Sequence, residues 1–153
     1  MLFGTYNSKL YIHTSMKKYE FLDHTADVLF QAYGKTLDEL CLNAALALQE
    51  VQVKISTVSP RKKKKIVLQA QTPEQLLFDF LQELVFIKDV EMLVFSKFAV
   101  KIAGKYKLTA QCFGEKINLK KHELNVDAKA ITMHQFEVKK TKDGWKARVI
   151  VDI

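Results

Sequence analysis

Two stretches of this sequence open with the same helix-start signature, and that repetition constrains the fold more than any other feature. In Thr36-Leu37-Asp38-Glu39, the Thr36 hydroxyl is placed to accept from the third helical amide while Glu39 reaches back to the cap amide, the reciprocal arrangement of a capping box. Leu37, Leu40, Cys41, Ala44, Leu48 and Val51 follow at helical spacing. They make one apolar stripe, which predicts packing against a sheet. Thr72-Pro73-Glu74-Gln75 repeats the signature, with proline at the first helical position, where its missing amide costs nothing. Leu76, Leu77, Phe80, Leu81, Leu84 and Ile87 are expected to form the buried side of this second helix. Stripes of this kind are core rather than cofactor pocket.

Strand patterns surround the two helices. Residues 19–22 and 28–33 have strand character; in the second, Val28, Phe30 and Ala32 point one way and Leu29, Gln31 and Tyr33 the other, until Gly34 ends it. Residues 66–70 read as a strand led in by a lysine run. Residues 93–102 and 105–113 are expected to pair through a turn at Ala103-Gly104, with Cys112 near a strand end. Residues 128–133 form a further strand. Residues 136–140 and 145–152 flank Asp143-Gly144, a strong hairpin signal, and Trp145, Ala147, Val149 and Val151 share one face. The predicted fold class is α+β: two helices packed on a largely antiparallel sheet system. Residues 1–15 read as an N-terminal extension, either disordered, or an upstream start before Met16, or an extra strand through Lys9-Leu10-Tyr11-Ile12. Residues 16–153 form one domain, with no internal repeat or linker.

The chain's 153 residues suit one domain with a sizeable core, and 48% hydrophobic against 27% charged residues is a globular mix. No apolar run approaches the roughly 20 residues that span a bilayer, and the N-terminus lacks the pattern of a signal peptide. No membrane association and a cytoplasmic location are therefore expected. The two cysteines, Cys41 and Cys112, form no CxxC pair, which argues against a cysteine-built zinc site; core packing is the expected role of Cys41. The net charge of +7 favours acidic partners such as nucleic acid. Much of the excess lies in Arg61-Lys62-Lys63-Lys64-Lys65, read as a solvated loop. No aromatic residue interleaves with that run, so it lacks the stacking platform of a single-strand binder, and contact with RNA is expected to be indirect.

Three places carry residues capable of chemistry. Asp23-His24-Thr25-Ala26-Asp27 gathers two carboxylates, an imidazole and a hydroxyl between two strands. That set is enough to hold a cation, and equally the composition of a hydrogen-bonded turn. At the other end, Asp152 and the Ile153 α-carboxylate are adjacent anions after an apolar strand. Two such groups held close repel unless a proton or a cation lies between them; were the sheet to bring Asp27 beside them, three anions would converge. The third place runs from Gly114-Glu115 through His122 to Lys129, with His134 beyond it; each lone histidine reads as structural rather than catalytic. The sequence has no GxGxxG, GxxxxGK[ST], GxSxG or HExxH, and only five glycines, so neither a phosphate cradle nor a nucleophile with its base is in view.

The stretch Tyr19-Glu20-Phe21-Leu22-Asp23-His24-Thr25-Ala26-Asp27-Val28 resembles the opening of the archease family. The resemblance continues through Ala32-Tyr33-Gly34-Lys35-Thr36-Leu37-Asp38-Glu39, Asn43-Ala44-Ala45, Leu81-Gln82-Glu83-Leu84-Val85 and Asp89-Val90-Glu91. It extends to Gly114-Glu115, His122, Lys129-Ala130-Ile131-Thr132-Met133-His134 and the closing Gly144-Trp145-Lys146-Ala147-Arg148-Val149-Ile150-Val151-Asp152-Ile153. It implies a non-enzymatic accessory protein of an RtcB-type RNA ligase, the enzyme of tRNA splicing and RNA repair. Such a protein promotes the GTP- and manganese-dependent guanylylation of the ligase and allows multiple turnovers. It also implies a divalent-cation site, with calcium the first candidate and manganese the second, on Asp27, Asp152 and the carboxylate of Ile153. Asp23 and His24 would support it, and Lys129, matching the lysine of the family's later motif, would be an activity residue. An older expectation for the family is a chaperone-like modulator of a tRNA cytosine-5 methyltransferase.

Two other classes compete with the activator. An RNA-binding module using the basic run would weaken steeply as salt rises. A metal-dependent hydrolase using Asp23, His24, Asp27 and Asp152 would act without any partner.

Overall fold

The computed structural model describes residues 17–153; the extension over residues 1–15, with its alternative strand through Lys9-Leu10-Tyr11-Ile12, lies outside them. In chain order the elements are β1 (Tyr19–Leu22), β2 (Val28–Gly34), α1 (Leu37–Gln52), a single 3₁₀ turn (Ile55–Thr57), β3 (Lys62–Gln69), α2 (Pro73–Glu91), β4 (Leu93–Ala103), β5 (Lys107–Lys116), β6 (Ala130–Thr141) and β7 (Gly144–Asp152). The strands form a four-stranded sheet of order β1-β2-β7-β6 and a three-stranded sheet of order β3-β5-β4. Every pairing is antiparallel, so the α+β reading holds. No helix among the described residues is long and apolar enough to cross a membrane.

Both helices touch both sheets, and that is where the one-stripe expectation for α1 falls short. The predicted stripe is buried, but so are Asn43, Ala45, Ala47, Gln49 and Gln52. A helix covered on several sides must hide polar groups as well as methyls, and most such groups find a partner; the buried side-chain amide of Gln52 has none among the described residues. Asn43 Nδ2 donates to the Tyr33 carbonyl of β2 at 2.6 Å. Gln49 Oε1 accepts from the Phe95 amide at 3.0 Å, where a bulge between Phe95 and Lys97 interrupts the β4–β5 ladder. In the first turn of α1, Asp38 Oδ2 accepts from the Ile102 amide at 2.8 Å. Helix α1 thus runs along the free edge of β4 and occupies two of its amides. Gln82 of α2 does the same for β6, accepting from Ile131 N at 2.9 Å. Edges left open invite pairing with other chains; here side chains of the two helices close them.

Both helix caps form at the predicted threonines, with one revision each. Thr36 accepts from Glu39 N at 3.2 Å, but the Glu39 carboxylate accepts from Lys35 N at 2.6 Å, one residue before the cap amide. Thr72 accepts from Gln75 N at 3.1 Å, while the Gln75 side chain donates forward to Asp79 at 2.7 Å instead of reaching back.

The lysine run is a larger correction. Lys62 to Lys65 are not a solvated loop; they are the first half of β3, paired with Gly114, Phe113, Cys112 and Gln111. As the outer strand of its sheet, β3 tolerates lysines that a central strand would reject. Cys112 lies inside β5 rather than near its end, and both cysteines are fully buried, which pushes each thiol up to about 12. The β4–β5 turn occupies residues 104–106, with left-handed φ at Gly104 and Tyr106. Residues 128–133 and 136–140 are not two strands: Ala130–Thr141 is continuous, with a bulge between Thr132 and Glu137 and a left-handed Gln135. Its hairpin to β7 turns at Lys142 and Asp143, and Thr141 pairs directly with Gly144.

Candidate metal centre

The order β1-β2-β7-β6 builds the site. Strands β1 and β2 are a hairpin with Leu22 opposite Leu29, so Asp23-His24-Thr25-Ala26-Asp27 is the connecting loop, exposed through Ala26. Ala26 has φ 69°, a left-handed conformation that costs an alanine about 1–2 kcal/mol and redirects the chain into β2. Strand β2 then pairs with the far end of the chain: Val28 faces Val151. Continuing that register by one residue sets Asp27 against Asp152. On the other flank of β7, Ala130 faces Asp152, and Lys129 N donates to the Asp152 carbonyl at 2.7 Å.

One end of the four-stranded sheet therefore carries Asp27, Lys129, Asp152 and Ile153, contributed by segments far apart in sequence. Asp27 is partly buried, Asp152 and Lys129 are exposed, and Ile153 is partly buried against the core cluster. Asp23 and His24 sit exposed in the same loop as Asp27. Among the described residues, no group of three His, Cys, Asp or Glu side chains is spaced to hold a metal ion. The sheet end supplies two side-chain carboxylates and main-chain oxygens. Oxygen donors of this kind suit a hard divalent cation, which takes carboxylate, carbonyl and water oxygens together.

The third predicted place is a different kind of cluster. Glu115 accepts from Ser59 N at 3.0 Å, from Lys121 Nζ at 2.7 Å and from His122 Nε2 at 2.7 Å. His122 Nδ1 accepts from the Asn118 amide at 2.9 Å, so the ring proton lies on Nε2 and points to Glu115. Partial burial raises the Glu115 carboxyl, but donation from Lys121, His122 and Ser59 outweighs it and holds the group at about 2. With His122 buried and both nitrogens engaged, the structural reading of this histidine is correct: it staples residues 117–122 to β5. His134 is exposed at the β6 bulge, its amide donating to Thr132 Oγ1 at 2.9 Å.

Sequence reasoning missed Lys88. This residue of α2 is buried, yet its ammonium is bound by Asp127, by Asp89 at 2.7 Å and by the Ala128 carbonyl at 2.9 Å. Burial alone would lower its pKa; the two aspartates more than compensate and raise it. The consequence reaches the sheet end, because the carbonyl it holds belongs to the residue before Lys129.

The archease protein family model matches residues 19–153. The chain belongs to the archease family. Archease of Methanosarcina barkeri is 45% identical over 141 residues, spanning 90% of this chain and 97% of the relative. Archease of Pyrococcus abyssi is 39% identical over 142 residues, 90% of this chain and all of the relative. The solution structure of a Methanobacterium thermoautotrophicum protein, 42% identical, superposes with a TM-score of 0.81 over 90% of this chain and all of that one. The Thermotoga maritima archease crystal structure, at 20% identity and a TM-score of 0.62 over 92% of this chain and all of that one, shares the fold.

Proposed function

We propose that this archease-family chain is a non-enzymatic accessory protein that activates an RtcB-type tRNA-splicing RNA ligase, promoting its guanylylation and multiple turnover. The observation that carries the reading is the β2–β7–β6 register, which sets Asp27, Asp152, Ile153 and Lys129 at one sheet end. On this reading the carboxylates of Asp27 and Asp152 and the main-chain oxygens of Ile153 are the donors. These residues would hold a divalent cation, calcium first and manganese second, with Asp23 and His24 in support. When bound, such an ion neutralises phosphate charge during nucleotidyl transfer. Lys129, its amide tied to the Asp152 carbonyl, brings an exposed lysine to the same sheet end, where it would meet a phosphate or a carboxylate of the ligase. On this reading the acidic sheet end enters the ligase's nucleotide site and acts there rather than alone. The cytoplasm is the compartment this role requires.

The description of the Thermotoga maritima relative as a possible chaperone favours a second reading, a chaperone-like modulator of a tRNA cytosine-5 methyltransferase. One experiment separates them. A cognate RtcB-type ligase is mixed with excess 3′-phosphate RNA, GTP and manganese, and product per ligase is counted with and without this protein. A rise from about one turnover to many is expected. No change, with a ligase that responds to another archease, would overturn the activator reading and turn attention to the methyltransferase.

A further inference from the structure

The outer face of the three-stranded sheet serves neither the core nor the sheet-end site. Its composition follows from register. Lys63 pairs with Phe113, which pairs with Lys97; in the next rows stand Lys65, Gln111 and Ala99, then Val67, Thr109 and Lys101, then Gln69, Lys107 and Ala103. The intervening residues, among them Ile66, Leu108, Ala110, Cys112 and Phe98, belong to the core cluster, so these rows point away from it. Strand alternation splits the lysine run: Lys64 turns inward to meet Glu91 at 2.9 Å, while Lys63 and Lys65 join the outer face.

The face carries five exposed lysines (63, 65, 97, 101 and 107), and these four rows include no Asp or Glu; the next same-face residue of β5, Glu115, is already engaged by Ser59, Lys121 and His122. Among the described residues none of the five is in an ion pair. Residues 1–16 contain no carboxylate side chain that could neutralise them. At one end of these rows, between Lys63 and Lys97, lies a partly exposed aromatic ring: Phe113 on the central strand, with the Lys97 ammonium 5.5 Å from its centroid. The sheet supplies what the linear sequence lacked, an aromatic residue interleaved with the lysine run.

We propose that this face binds single-stranded nucleic acid, with Phe113 stacking one base and the lysines on either side holding the flanking phosphates. Strands lie about 4.8 Å apart, so the lysines of β3 and β4 form two columns about 10 Å apart astride the ring. That is a cationic channel with a stacking surface at its floor, the two elements of sequence-tolerant single-strand recognition. An incoming base takes the place of the Lys97 ammonium over the ring, freeing that cation for a phosphate. A duplex, whose bases are already stacked, would leave Phe113 unused; so would an acidic peptide. The residues flanking Phe113 are the lysines and Gln111, whose side-chain oxygen is buried, so little sequence preference is expected. The inference goes beyond the ligase reading and stands without it.

The test is fluorescence anisotropy of the full chain with a labelled mixed-sequence 12-nucleotide RNA across a salt series. Five lysine–phosphate contacts predict a log–log salt slope of roughly −3.5, about a hundredfold weakening from about 50 to about 200 mM salt. Phe113→Leu should weaken binding at least about fivefold with the slope unchanged. Changing Lys63, Lys65, Lys97 and Lys101 together to Gln should flatten the slope by about 0.7 per lysine. Lys142→Gln, in the distant β6–β7 turn, should do neither. Thermal melts of each variant confirm folding. Three results would overturn the proposal: no binding at low salt; binding that neither set of changes affects; or polyglutamate or duplex competing as well as the single strand with Phe113→Leu neutral, which would make the face a generic polyanion or acidic-protein surface.

Discussion

Glu115 and His122 meet at 2.7 Å through Oε2 and Nε2, and the contact has a direction: Asn118 N–H occupies the other ring nitrogen, so the imidazole donates and the carboxylate accepts. With Lys121 and Ser59 also donating to Glu115, three donors converge on one carboxylate, and His122 and Lys121 tie residues 117–122 onto β5. The chain between that staple and β6 leads into Lys129, so the staple belongs to the framework of the proposed site.

The first prediction concerns pH. Glu115 is held at about 2 in the folded protein against an ordinary 4.5. A folded-state pKa below the unfolded one stabilises fully above about pH 4.5 and is lost as pH falls toward about 2. Glu115→Gln should therefore lower stability by about 1–3 kcal/mol at neutral pH, and the gap to the wild type should close as pH falls through that window. Urea unfolding at stepped pH checks this; a constant gap would contradict it.

Gly34→Ala should be strongly destabilising, by about 1–3 kcal/mol or more. An added Cβ would meet Leu40 N at 2.3 Å and Glu39 C at 2.8 Å, both backbone atoms of α1 that cannot step aside. Gly104→Ala serves as the comparison: its Cβ meets nothing within 4 Å, and only its left-handed φ of 56° is strained, a cost of about 1–2 kcal/mol. Thermal denaturation should rank Gly34→Ala as the more damaging.

Thr36→Ala and Thr72→Ala each remove the side-chain oxygen that accepts from the third residue of a helix. Each should cost about 1 kcal/mol, and because the caps share no partner the two should add. A double mutant much less stable than the sum would mean that the caps are coupled.

These caps show what was legible in the sequence. A cap is local: the threonine, the glutamate or glutamine and the apolar stripe lie within a few turns of one another, so helix starts, stripes and the α+β class could be read directly. Glu39 and Gln75 chose other partners because Lys35 N and Asp79 compete at similar range. The lysine strand was hidden because β3 owes its conformation to pairing with β5, some fifty residues on, and a charge run has no apolar alternation to betray it. Lys88 was hidden because two of its three partners, Asp127 and the Ala128 carbonyl, come from the loop before β6. The Asp27–Asp152 relationship stood as a conjecture on the sequence because β2 and β7 are sequence-distant strands. Nothing in either segment alone specifies that they are neighbours.

Lys88→Met should lower stability by about 1–3 kcal/mol, because the Ala128 carbonyl loses its donor and Asp89 and Asp127 lose their cation. The same change should speed amide hydrogen exchange over residues 127–129 and blunt ligase stimulation through Lys129. Unchanged exchange there would separate the ion cluster from the sheet end.

The most direct measurement of the central claim is ligase turnover with Asp27→Asn and Asp152→Asn, each compared with the unmodified chain at equal folded concentration. Both side chains lie at the rim of the four-stranded sheet, with Asp152 exposed and Asp27 only partly buried, so melting temperatures should shift little. Stimulation should fall to the ligase-alone level in both variants. Full stimulation by both would contradict the account and leave the convergence at the sheet end as architecture without a role in activation.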